Sequence, residues 1–290
     1  MTRTATPARP SASASVRPRS AQAAAAADVA RTVGRSLRSG AITLVLVILA
    51  WQGLLLVLGV SPFLAKGPVD VFTWLFTVPT AAENRAVIGG NLVVTLADAF
   101  LGFVAGLAAA LVLATVFTLS RGVESALMPL ALLLRSVPLV ALAPVISLIT
   151  GRGLTTVVVM AGIVVLFPAL VNIAWGLRSS SPSMGDVIAV YGGNAFTALR
   201  LVALPSSLPS FFAAVKISIP GAITGALLAE WLSTGQGLGN GIVTAVAQVR
   251  NSEVWASVVV ITVVSLVLYG VAQLAENLVL RRMGMPGGTS

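Results

Sequence analysis

The chain has 290 residues, of which 57% are hydrophobic and only 9% charged. A soluble domain carries roughly 25% charged residues, so an ordinary water-soluble globule is excluded. With no cysteine and no histidine, disulfides, Cys/His metal centres and Cys- or His-based catalysis are excluded as well. The net charge is +9, but Arg3, Arg9, Arg17, Arg19, Arg31, Arg35 and Arg38 all precede the first apolar run. That placement speaks for membrane topology and attraction to anionic lipid rather than for nucleic acid.

Residues 1–40 form a basic tail. Its first 20 residues, rich in Ser, Pro, Ala and Arg, hold too little apolar surface to offset ordering entropy, and disorder is expected there. The Ala23–Ala27 run is too short and too weakly apolar for a secretory signal. Arg31, Arg35 and Arg38 share one helical face, which suits either a flexible topogenic tail or a helix on the inner leaflet.

Six apolar stretches follow, against the requirement of about 20 residues per membrane crossing. They are Ala41–Val60, Asn91–Ser120, Ser125–Thr150, Leu154–Leu177, Pro209–Leu232 and Val254–Ala275. The predicted fold is therefore an all-α integral membrane protein with six transmembrane helices over 41–283, closed by a short tail at 284–290. Between the first two spans, Ser61–Gly89 reads as an outside loop with a short helix over Val71–Val78 lying on the membrane. The third span is the least regular, since Pro129, Pro138 and Pro144 interrupt it and proline removes a backbone donor.

With the N-terminus inside, Arg121, Arg178, Arg200, Arg281 and Arg282 join the basic tail on the cytoplasmic side. Only Lys66, Arg85, Arg152 and Arg250 fall outside. The positive-inside rule favours this orientation, with both termini cytoplasmic.

Four ionisable groups lie in or at the ends of spans, where charge is costly. Asp98 is expected to bond a neighbouring helix. Arg135 either donates to carbonyls freed by Pro138 or draws anions along a pathway. Lys216 is expected to snorkel to the inner face, and Glu230 is either a gate residue or a surface contact. Gly102, Gly106 and Ala108–Ala110 form a small-residue face, for packing within the chain or between copies. The run Gly235, Gly237, Gly239, Gly241 lacks the spacing and the preceding strand of a dinucleotide site and reads as a tight turn.

Between spans four and five lies the most informative segment, 178–206. Ser181-Pro182 suits a helix start, and Asp186 is expected close enough to that start to benefit from the helix dipole. Gly192-Gly193 suits a helix stop, Asn194 a second cap, and Pro205 with Pro209 the break before span five. The order Asp186, Ala189, Gly192, nine residues, Val202, one residue, Leu204-Pro205 resembles the cytoplasmic coupling loop of importer permeases of the ATP-binding cassette superfamily. Asp stands for the family's Glu, Val for its Ile, and Val187-Ile188 for two alanines. Leu133–Pro138 with Ala141–Pro144, and Leu228–Trp231 with Gly235–Gly239, resemble the nitrate, sulfonate and taurine branch.

The resemblance implies a bacterial inner-membrane permease subunit importing a small solute, without enzymatic activity of its own. It implies ATPase coupling through Asp186, Ala189, Gly192, Gly193, Val202, Leu204 and Pro205, and a pathway near Arg135, Pro138 and Glu230. Implied partners are cytosolic ATP-binding subunits, an extracellular or periplasmic substrate-binding protein, a second copy forming a homodimer, and lipid. No cofactor, metal or catalytic residue is expected. Neither Lys66 nor Lys216 lies in the Gly-Lys-Ser/Thr context of a phosphate-binding loop. The alternative is a stand-alone ion-coupled secondary transporter, which calls for midplane ionisable relays and internal repeats.

Overall fold

The structure, a computed structural model, describes residues 38, 40 and 42–285. The expectations for residues 1–37 and 286–290 lie outside the described residues. The chain divides into two compact units at residue 60. The first contains helix α1 (Ile42–Leu58), apolar and exposed on most of its surface, as suits a helix surrounded by other apolar groups.

The second unit is built from ten helices among the described residues, with no strand. They are α2 (Pro68–Phe76), α3 (Ala81–Leu119), α4 (Arg121–Ser136), α5 (Leu139–Thr150), α6 (Leu154–Arg178), α7 (Pro182–Val190), α8 (Ala195–Ser206), α9 (Leu208–Thr234), α10 (Gly237–Ala247) and α11 (Asn251–Arg282). Helices α3, α6, α9 and α11 are long and apolar enough to cross a membrane.

Helices α3, α6 and α9 pack into the core. Their closest approach centres on Ala161 of α6. A methyl at Gly102 of α3 would lie 2.3 Å from the Ala161 Cβ, and one at Gly225 of α9 would lie 2.6 Å from its Cα. Without a hydrophobic force between helices in lipid, such close backbone contact is the main source of packing energy. The small face of α3 therefore packs within the chain at Gly102, Gly106 and Ala110, while Ala108 and Ala109 stay exposed. A second buried cluster joins Ala114 and Phe117 of α3, Ile173 and Leu177 of α6 and Ala214 of α9 to Leu199 and Ala203 of α8.

The stretch expected as one span over Ser125–Thr150 is instead two helices, α4 and α5, parted at Val137-Pro138. Pro138 has no N–H, and its ring disfavours the helical region for Val137. The short helix expected at Val71–Val78 begins earlier, at Pro68. Asp70 Oδ2 accepts from Gly67 N at 2.8 Å, and Pro68 occupies the first turn, where its missing donor does no harm. Asn84 and Arg85 of α3 donate to the Trp74 and Leu75 carbonyls, at 2.9 and 2.5 Å.

Lys216 does not snorkel. Its Nζ lies 2.5 Å from Glu276 Oε2 of α11, with the two side chains 15% and 5% exposed. The expected sixth span stopped one residue short of this partner. Removing one member of a buried pair leaves an uncompensated charge, at a cost of about 3–5 kcal/mol, whereas replacing both by apolar groups is often neutral. Lys216→Met is therefore expected to lower thermal stability sharply, and adding Glu276→Leu to restore most of it. Melting of the purified variants in detergent, followed by size-exclusion, checks both.

Candidate functional site

The 178–206 segment is built from two short helices joined by a glycine turn. Helix α7 starts after Ser181, with Pro182 in its first turn. The Ser181 hydroxyl does not cap the helix but lies 2.7 Å from the Ser183 hydroxyl. Asp186 is exposed in the second turn, not the first. The helix dipole fades within one turn, so the expected dipole benefit is largely lost and the carboxylate is left free for a partner.

The helix ends as its glycines dictate. Gly192 takes φ +77°. Gly192 N donates to Ala189 O at 3.0 Å and Gly193 N to Ile188 O at 2.8 Å. These two bonds are those of a Schellman motif, with Gly192 at the left-handed position. A methyl on Gly192 would meet nothing within 4 Å, whereas one on Gly193 would lie 2.4 Å from Ile188 Cγ2. Asn194 caps α8, its Oδ1 accepting from Thr197 N at 2.9 Å.

Within α8 the turn Leu199–Ala203 widens to a π-helix just before Pro205. The Leu204 N–H bonds Leu199 O, so the helix takes up an extra residue as it meets a proline without a donor. Leu199 and Ala203 face the core, Val202 is half-buried, and Leu204 stays exposed. On the outer side Met184, Val187, Val190, Tyr191 and Phe196 are all exposed, Tyr191 to 87%. One face of the segment is thus anchored and the other is apolar and open. Arg178, at the end of α6, pairs with Glu124 at the start of α4.

The candidate pathway residues fall at two places. Arg135 and Pro138 are exposed at the α4–α5 break. Arg135 makes no hydrogen bond or ion pair among the described residues, so it does not donate to the carbonyls near Pro138. Glu230 is fully buried, not a surface contact. Its Oε2 accepts from Thr95 Oγ1 at 2.9 Å and from Gly239 N at 2.8 Å, while Leu238 N donates to Thr95 Oγ1 at 2.8 Å. Oε1 has no hydrogen-bond partner among the described residues. The carboxyl group thereby clamps the start of α10 to α3 across a second π-turn, Glu230–Thr234.

The glycine run is shaped around this group. Gly235 and Gly237 have φ +72° and +75°, and a methyl on Gly237 would lie 2.3–2.5 Å from the Glu230 carboxyl atoms. Asp98, expected to bond a neighbouring helix, is half-buried and makes no hydrogen bond among the described residues. Thr95 and Glu276 were not singled out from the sequence, because a lone Thr in an apolar run and an acid past the apolar stretch carry no spacing signal.

A bundle of long apolar helices, with a short helical pair anchored at one end and open on its outer face, is the build of an integral membrane protein with a free face for a partner. Residues 102–285 match the family described as binding-protein-dependent transport system inner membrane component, and the chain belongs to that family. It is 29% identical over 240 residues to a riboflavin transport system permease protein of Chloroflexus aurantiacus, covering 83% of this chain and 88% of the relative. It is 24% identical over 220 residues to a formylaminopyrimidine transport permease protein of Halalkalibacterium halodurans, covering 76% and 86%. To a putative aliphatic sulfonates transport permease protein of Bacillus subtilis it is 25% identical over 192 residues, covering 66% and 70%. The chain is thus a permease subunit of an ATP-binding cassette importer for a small solute.

Proposed function

We propose that the chain crosses the inner membrane six times, with α1 and the α4–α5 pair as the first and third crossings and both termini in the cytoplasm. In this reading 178–206 is the coupling segment. A separate cytosolic ATP-binding subunit seats on its open face, around Asp186, Ala189, Gly192 and Gly193. Val202, Leu204 and Pro205 shape the return into α9. ATP-driven closure of two such subunits moves α7, and α8 passes the motion to α3, α6 and α9 through Leu199 and Ala203. The solute then meets alternating inward- and outward-open states, with ATP supplying the differential affinity.

Two copies of the chain form the pathway. Non-helical backbone at membrane depth is tolerated only against protein or a water-filled cavity, and the Val137-Pro138 break carries exposed Arg135 beside it. Arg135 and Pro138 are assigned to the pathway, whereas Glu230 acts on it through α10. A substrate-binding protein delivers the solute from outside, in keeping with the family's description. The relatives' solutes point to a small organic or oxyanionic molecule of the sulfonate, nitrate or taurine kind, or to a heterocycle.

The observation that carries this reading is the two-sided build of α7–α8: a buried face of Leu199 and Ala203, and an open face of Val187, Val190 and Tyr191. The test is affinity purification of the tagged full chain from mild detergent, beside Pro205→Arg. A co-purifying ATPase that is lost in the variant is expected. A chain that purifies alone and transports without ATP would return the stand-alone transporter.

A further inference from the structure

We propose that the cavity between α3, α10 and the start of α11 is a binding site for a neutral solute with amide- or imide-type edges. The proposal rests on the permease reading and names the solute class that reading leaves open. The cavity measures about 390 Å³ and is lined by Asn91, Gln236, Asn240, Thr244, Arg250 and Glu253, among others. That volume falls at the small end of ligand pockets, about 300–1,000 Å³.

Its polar groups have open valences. Asn91, Asn240 and Thr244 are half-buried, and their side chains make no hydrogen bond among the described residues. A ligand that displaces water from these carboxamides must supply their partners, because polar side chains taken out of water are almost always hydrogen-bonded. Asn240 and Thr244 stand one turn apart on α10, so they present successive groups along one face. Between them Gly241 has no side chain, and a methyl there would lie 2.9 Å from Asn91 Nδ2. The glycine leaves the Asn91 amide reachable from the cavity.

The walls are held rigidly. One helical turn from Asn91, Thr95 accepts from Leu238 N, and Glu230 accepts from Gly239 N, each at 2.8 Å. This joins α3 to α10 at the base of the cavity, which makes Glu230 a positioning residue for the site.

The charge balance decides the solute class. The cation lining the cavity, Arg250, is paired with Glu253, and the remaining polar lining is carboxamide and hydroxyl. A carboxamide offers a donor and an acceptor side by side, and its complement is an edge that does the same. An anion would meet no uncompensated positive group.

The test uses the purified full chain in lipid nanodiscs, with equilibrium dialysis of labelled uracil and, at matched concentration, methanesulfonate. Saturable uracil binding is expected, weakened at least tenfold by Asn240→Leu and by Asn91→Leu, with no saturable methanesulfonate binding. Thr244→Val serves as a third variant should a leucine variant fail to fold. Uracil binding no tighter to the parent chain than to Asn240→Leu overturns the proposal, as does methanesulfonate binding that the same variants abolish. Uptake by cells carrying the complete transporter separates the two readings. ATP-dependent uptake of uracil whose KM ignores all three variants removes the site and leaves the coupled pathway, whereas uracil binding without ATP-dependent uptake removes the proposed coupling through 178–206 and leaves the site.

Discussion

Gly237→Ala is expected to lose most of the folded protein at 37 °C. Gly237 sits at φ +75°, where a side chain costs about 1–2 kcal/mol. The larger effect is local crowding, because the new methyl would lie 2.3 Å from Glu230 Cδ and 2.4 Å from its Oε1. The carboxyl group has no room to retreat, being fully buried against Thr95 and α10. If it swings away, the Gly239 N–H loses its partner inside an apolar bundle, and the Thr95 hydroxyl keeps only the Asn91 carbonyl, 3.2 Å away, to donate to. The orphaned N–H alone costs about 1–3 kcal/mol, so together with the backbone strain and the crowding the loss is a large part of a typical folding free energy of about 5–15 kcal/mol.

Gly239→Ala should behave alike, since its methyl would meet the Leu227 backbone oxygen at 2.2 Å. Glu230→Gln is the control: it keeps the shape and one acceptor oxygen, so it should retain most of the folded protein. Fluorescence-detected size-exclusion after a heating series measures all three. A Gly237→Ala variant that melts with the parent would mean that the carboxyl clamp does not hold α10 in place.

The four helices long and apolar enough to cross a membrane were readable from apolar length alone, because a helix in lipid must satisfy its whole backbone internally and so writes itself as an uninterrupted run. The glycine stop at Gly192-Gly193 and the Asn194 cap were equally plain, since each is a local rule obeyed within a few residues. What stayed hidden was partnership across the fold. Lys216 was placed by its own helix, but Glu276, 60 residues on, decides its position. Glu230, near the end of an apolar stretch, reads from the sequence as either a gate residue or a surface contact; only the docking of α10 against Thr95 shows it buried. The Val137-Pro138 break shows a limit of another kind. Pro129 and Pro144 lie inside helices that continue through them, so proline alone does not say which site will break.

Gly192→Val is expected to cut solute uptake at least tenfold while leaving the amount and thermal stability of the membrane-embedded chain near those of the parent. The site is suited to this test because space is not the issue: a methyl there meets nothing within 4 Å. Only the left-handed backbone resists, and it does so strongly for a β-branched residue. Once that conformation is lost, the Gly192 N–H to Ala189 and Gly193 N–H to Ile188 bonds go with it, at about 1 kcal/mol each. A helix as short as α7 cannot hold itself together in water, so its last turn frays and the open face of Val187 and Val190 disperses. The anchoring residues Leu199 and Ala203 lie beyond the turn in α8, so the bundle keeps its core. Gly192→Asn, which tolerates the left-handed region, should retain most of the uptake. Uptake by vesicles, with the membrane level of each variant measured in the same preparation, reads the contrast. Equal uptake by the Val and Asn variants would show that the turn geometry plays no part in coupling, and the docking surface would then have to be sought away from α7.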